Sequence, residues 1–229
     1  MKKYIRQIHC RLLLLTIIVS LSVQCKSMDT TNHQDNMNQD NIVAAVVSGQ
    51  ISAVKNYLAA GGDANRKAAD SKSLLLIATE KNNRDMAQLL LRYGADVNLQ
   101  SGNADSPFLY AGAAGYTELV RLYLKHGADF KIFNRYHGTA LIPACERGHI
   151  ETVRLLANTK GFPIDHVNRL GWTALLEAII LGDGSQKYVE IVKILLDAKC
   201  DKTIPDSEGI TPLQHARQRG FTAIATLLE

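Results

Sequence analysis

The residues able to do chemistry are few, and their spacing does not assemble a reaction centre. Four cysteines occur, Cys10, Cys25, Cys145 and Cys200. No Cys-x-x-Cys or His-x-x-x-His pair is present, and these are the spacings from which metal sites are usually built. His126, His137, His149, His166 and His215 are scattered singly. Gly182-x-Gly184-x-x-Lys187 imitates a phosphate-binding loop. It lacks both the closing Gly-Lys-Ser/Thr and a preceding strand. The Gly-x-Ser-x-Gly turn that presents a nucleophilic serine is also absent. The expectation is a chain that is not an enzyme and takes no cofactor or metal.

Cys25 is the one cysteine whose surroundings suggest a covalent fate. Lys2, Lys3, Arg6 and Arg11 precede the apolar run Leu12 to Val23. Twelve residues are too few to span a bilayer, which takes about 20 in a helix, but they suit the core of an export signal. Residues 1–24 are therefore expected to be a signal peptide, with an uncleaved anchor as the alternative. A cysteine directly after such a run resembles the lipobox of bacterial lipoproteins, in which the thiol is lipidated and becomes the new N-terminus. Ser22 and Gln24 stand where that family prefers Leu and a small residue. Ordinary cleavage after Ser22, with Ser20 and Ser22 as the small residues, stays open. If Cys25 is lipidated, the resemblance makes Lys26 a mark of the outer membrane, and otherwise the chain is expected in the periplasm.

Residues 25–40 are dominated by Asn, Gln, Asp, Ser and Thr, and their only strongly apolar side chains beyond Cys25 are Met28 and Met37. Such a segment buries too little to order itself and reads as a tether. Initiation at Met28 or Met37 would make a cytosolic form with the body intact, which N-terminal sequencing of the cytoplasmic fraction would detect. The chain carries 26 basic and 22 acidic residues, and four of the basic ones lie in the signal. The remainder is neutral, which argues against nucleic acid as a partner, since phosphate binding needs a basic face.

From residue 41 onward the chain repeats itself. Ser/Thr-x-hydrophobic-x-x-Ala recurs as Ser73 to Ala78, Ser106 to Ala111, Thr139 to Ala144, Thr173 to Ala178 and Thr211 to Ala216. The alanines lie 33, 33, 34 and 38 residues apart, and Ala45 lies 33 before Ala78. Each alanine is followed by a short link, an apolar helix such as Met86 to Leu91 or Val192 to Leu196, and a glycine turn such as Gly94-Ala-Asp-Val-Asn98. The Ser or Thr is expected to cap the first helix of each unit through its oxygen, with Pro107 and Pro212 at the first helical position, where no N–H is needed. Gly94 and Gly127 close the second helix.

This phrase and this period resemble the ankyrin repeat, whose signature is Thr-Pro-Leu-His-x-Ala. The resemblance covers 41–229 in six units, approximately 41–66, 67–99, 100–132, 133–166, 167–204 and 205–229, with shortened first and last caps. It implies an all-α solenoid of helix-turn-helix units carrying short hairpin fingers, each unit covering the apolar face of the next. The signature His is replaced by Leu76, Leu109, Ile142, Leu176 and Gln214, so its hydrogen bonds must be missing or replaced. Pro143 removes an early helical hydrogen bond. Lys199 stands in a turn-glycine place, and Gly182 to Tyr188 carries five extra residues between two helices. That loop reads as tolerated drift or, alternatively, as a second contact site opposite the fingers. Cys145 and Cys200 fall in different repeats, read as small buried hydrophobes, and are not expected to bond to each other.

The resemblance places a partner protein on the concave face made of fingers and inner helices. There the middle repeats gather Phe133, Arg135, Tyr136, Arg147, Arg169, Trp172 and Leu181. Trp, Tyr and Arg dominate interface energies because they desolvate large areas and still offer donors. The leading expectation is a monomeric envelope protein that inhibits a partner, of the immunity type against a secreted toxic enzyme. The alternatives are an adaptor for an envelope enzyme, for example in oxidative-stress defence, and an effector acting on host proteins.

Overall fold

Four of the five repeated hydroxyl residues open their helices as their spacing predicts. The structure, a computed structural model, describes residues 41–229. The solenoid is the compact unit Ala45–Glu229. The expected signal, the tether, Cys25 and the starts at Met28 and Met37 lie outside the described residues.

The inner helices are α2 (Leu74–Glu80), α4 (Pro107–Ala113), α6 (Leu141–Glu146), α8 (Ala174–Ile180) and α10 (Pro212–Gln218). The outer helices are α1 (Ile51–Ala59), α3 (Arg84–Arg92), α5 (Thr117–Lys125), α7 (Ile150–Ala157), α9 (Gln186–Asp197) and α11 (Thr222–Leu228). Among the described residues there is no strand, only an isolated bridge between Lys67 and Ser73. No described helix is long and apolar enough to cross a membrane. Inner helices pack on successive inner helices and outer on outer, so the units form two rows. The fold is the all-α solenoid that the repeat predicts.

Ser73, Ser106, Thr173 and Thr211 accept the N–H of Leu76, Leu109, Leu176 and Gln214. Thr139 departs from the expected cap. Helix α6 begins two residues later, at Leu141, and the buried Thr139 Oγ1 has no partner. Pro143 has no N–H to return to the Thr139 carbonyl, so the first turn lacks the bond that holds a cap in place.

The signature alanines Ala78, Ala111, Ala144, Ala178 and Ala216 are completely buried. A β-carbon at Gly112 of α4 would stand 2.6 Å from that of Ala140 and 2.9 Å from its carbonyl oxygen, so this close approach of the inner row leaves no room for a side chain. Leu76, Leu109, Ile142 and Leu176, which replace the signature His, are buried. They exchange its hydrogen bonds for apolar area removed from water. Gln214 instead completes a reciprocal capping box with Thr211.

Two hydrogen-bonding devices recur along the stack, one closing each finger and one joining successive units. Each finger is a tight loop closed by a bond from its first N–H to its fifth carbonyl, as in Ala68 to Lys72, Ser101 to Asp105, Asn134 to Gly138, Asn168 to Trp172 and Asp206 to Ile210. The fourth residue of each is left-handed: Ser71, Ala104, His137, Gly171 and Gly209. The glycine turns are laced by asparagine. Asn65 donates to the Gly94 carbonyl and accepts from Asp96 N–H, and Asn98 does the same with Gly127 and Asp129.

The five-residue insertion is tied in on both sides. Tyr188 is buried and its hydroxyl donates to the Glu146 carbonyl at 2.7 Å, while the Gly182 carbonyl accepts from Arg219. Cys145 is fully buried and Cys200 half-buried, so only the first is the buried hydrophobe expected from sequence. Burial pushes both thiols up, that of Cys200 to about 12.

Candidate protein-docking groove

The fourth and fifth fingers are braced by asparagine side chains. Asn134 Oδ1 accepts the N–H groups of Tyr136 and Gly138, and Asn168 Oδ1 accepts those of Leu170 and Trp172. This fixes the loop tips and holds Tyr136 and Leu170 out from the fold, each nearly half exposed. Leu181, at the end of α8, is equally exposed. Between these three lies a groove of about 240 Å³. Its floor is made by Ile142 and Pro143 of α6 and Glu177 of α8, and Glu146 stands at its edge on α6.

Glu177 is the unusual member. It is only 5% exposed, and its Oε1 accepts a hydrogen bond from Asn168 Nδ2 at 2.9 Å. Burial, and secondarily the neighbouring Glu146 carboxylate, raise its pKa to about 7 against the bond from Asn168, which lowers it. Desolvation disfavours the charged form of an acid, and a like charge adds to that. Among the described residues, neither Glu146 nor Glu177 enters an ion pair.

The seven side chains singled out by sequence separate into groups. Tyr136 and Leu181 line the groove. The Arg135 guanidinium lies over the Tyr136 ring, 4.9 Å from its centre. Arg169 ties the two fingers together, its backbone N–H donating to the Tyr136 carbonyl at 2.8 Å and its Nη1 to the Arg135 carbonyl at 3.2 Å. Phe133 is half-buried and stacks on the His166 ring at 4.3 Å, with His137 on it at the same distance. Arg147 reaches back to the Ala113 carbonyl in the preceding repeat. Trp172 is half-buried and is not among the residues lining the groove.

Glu177 was not among the candidates read from sequence. It stands in a variable place of the repeated phrase, occupied elsewhere by Ile77, Tyr110, Pro143 and His215. The available signal was a carboxylate on the stripe of α8 that is otherwise Leu175, Leu176, Ala178 and Ile179. Among the described residues, no three His, Cys, Asp or Glu side chains converge as a metal site would require.

Comparison with known proteins agrees with this architecture. The family model described as ankyrin repeats (3 copies) matches residues 41–134 and 108–206. A crystal structure of an ankyrin repeat domain from Acinetobacter baumannii AYE superposes with a TM-score of 0.80 at 48% identity, covering 82% of this chain and 95% of that one. The ankyrin repeat protein EF0377 gives 0.79 at 40% identity, again covering 82% of this chain and 95% of the other. YahD of Escherichia coli (strain K12), a protein named for ankyrin repeats, is 47% identical over 74 residues. That match spans 32% of this chain and only 36% of YahD.

Proposed function

The chain belongs to the ankyrin-repeat family, and on that premise we propose that it is a stoichiometric protein binder of the bacterial envelope that occludes a toxic secreted enzyme. The observation that carries the binding surface is the exposure of Tyr136, Leu170 and Leu181 around one groove on rigid fingers. Contiguous exposed apolar side chains with a polar surround mark interaction sites. The inhibitory role is supported by the fold together with the export signal read in residues 1–24.

Partner capture with the full chain from envelope extracts tests the binding surface. The captured enzyme is expected to lose activity at one equivalent of this protein. Tyr136→Ala, which removes an aromatic anchor, is expected to weaken the complex by about 2 kcal/mol, roughly thirtyfold. Wild-type affinity in both Tyr136→Ala and Leu181→Ala would move the binding surface elsewhere. Deletion of the gene followed by co-culture with toxin-bearing sister cells tests the protective role, and undiminished survival removes it. Recovery of lipid label in the envelope fraction, lost in Cys25→Ser, is the expected sign of tethering.

A further inference from the structure

We propose that the groove between the fourth and fifth fingers receives an arginine side chain of the partner protein, its guanidinium meeting the carboxylates of Glu177 and Glu146 and its stem lying against Tyr136, Leu170 and Leu181. The inference deepens the binding reading above and rests on it for the source of the arginine.

Size comes first. About 240 Å³ is below the roughly 300–1,000 Å³ typical of small-molecule and cofactor sites. It suits one long side chain, not a whole helix or a nucleotide. The walls then restrict the type. Apolar groups at the rim suit a hydrocarbon stem, while the carboxylates in the floor and at the edge suit a cation at its tip. An uncharged apolar side chain would cover the Glu146 carboxylate without giving it a partner and would add none to Glu177 beyond Asn168, which is costly. A partner carboxylate would add a third negative charge.

Charge complementarity is left open by the chain itself. Among the described residues, the Glu177 carboxylate accepts one hydrogen bond, at Oε1, and no Lys or Arg pairs with it or with Glu146. Burial holds the Glu177 proton on until about pH 7, so an arriving cation would exchange for a proton rather than for a resident ion pair. Arginine fits better than lysine. Two carboxylates from different helices line one groove, and the guanidinium presents five N–H donors in a planar fork and is more weakly hydrated than an ammonium.

The test uses the full chain with methyl-labelled leucines, titrated at pH 8 and constant ionic strength with N-acetyl-arginine amide. The matching citrulline and lysine amides serve as controls. Saturable shifts at Leu170 and Leu181 are expected with the arginine probe, weaker ones with lysine and none with citrulline, which has nearly the same shape without the charge. Glu177→Gln is expected to weaken the arginine probe about tenfold and Glu146→Gln about threefold, in line with loss of charge-assisted bonds. Far-UV circular dichroism identifies any variant that fails to fold, and Glu146, which is not buried, supplies a second variant that leaves the core untouched.

Equal response to citrulline, or wild-type arginine binding in both variants, overturns the proposal. A captured partner that binds both variants as tightly as wild type also overturns it and leaves the binding reading standing. If no partner is captured while arginine amide titrates the groove, the partner reading falls and the arginine site remains.

Discussion

Repeats two and three and repeats four and five have the same helices and core but differ in how well they are joined. In the first pair every hydroxyl cap is made, and the Asn65 and Asn98 side chains lace each glycine turn to the next. In the second pair Thr139 is left without a partner. Lys131 occupies the lacing position, and Pro163, where Asp96 and Asp129 supplied an N–H, has none to give. The next rung is a single bond from Asp201 N–H to the Asp165 carboxylate. A buried carboxylate, Glu177, sits in an inner helix there. The groove opens in this less regular pair. Proteins break local rules at functional sites and recover the stability elsewhere. Here the recovery comes from intact apolar rows, Tyr188 clamping Glu146, and Arg169 tying finger to finger.

The largest effect should show that the two pairs share one kind of core. Leu76→Ala and Leu176→Ala each empty a fully buried site, and each is expected to cost about 2–5 kcal/mol in denaturant unfolding. A small loss at Leu176 alone would break the comparison by showing that the second pair is loosely packed.

The pH dependence should separate the pairs next. The folded pKa of Glu177, about 7, lies above its ordinary 4.5. The folded state therefore binds the extra proton between those values, so this group's contribution to stability falls as pH rises from about 4.5 to about 7 and levels off above it. The Glu146 charge acts on Glu177, and after burial the Glu177 charge helps raise the Cys145 thiol of α6. Glu177→Gln is expected to remove that slope in thermal melts. An unchanged slope would place the titration elsewhere.

The caps should respond with opposite signs. Thr173→Val removes a made cap and is expected to cost about 1 kcal/mol. Thr139→Val removes a buried oxygen that has no partner while keeping the shape, and is expected to gain about 1 kcal/mol. Equal losses at both sites would mean that Thr139 is capping after all. The smallest change sharpens the lacing: Asp165→Asn keeps an acceptor for Asp201 N–H, adds a donor and removes a charge next to Asp201. A gain of about 0.5–1 kcal/mol is expected in unfolding.

Most of the helix pattern was legible because its causes lie within a few residues. The Ser/Thr caps, Pro107 and Pro212 at helix starts and the buried signature alanines can all be read along one repeat. Thr139 was the failure, although Pro143 was already visible as a lost bond. The step from a missing N–H to an abandoned cap depends on which of two neighbouring starts the packed helix adopts. The candidate site was legible in part. Register put Tyr136 and Leu181 on the concave face, but it could not say that Phe133 would turn to His166 or that Arg147 would reach back to Ala113.

By itself the sequence determined the period, the helix starts other than that of α6 and the poverty of reactive groups, because hydrogen bonds and side-chain periodicity within a unit are local. Only the tertiary structure decided which exposed residues share a groove and that Glu177 is buried beneath it. Those facts depend on side chains about one repeat apart in the chain. Their directions are set by how α6 and α8 and their fingers pack against each other, and no local spacing encodes that.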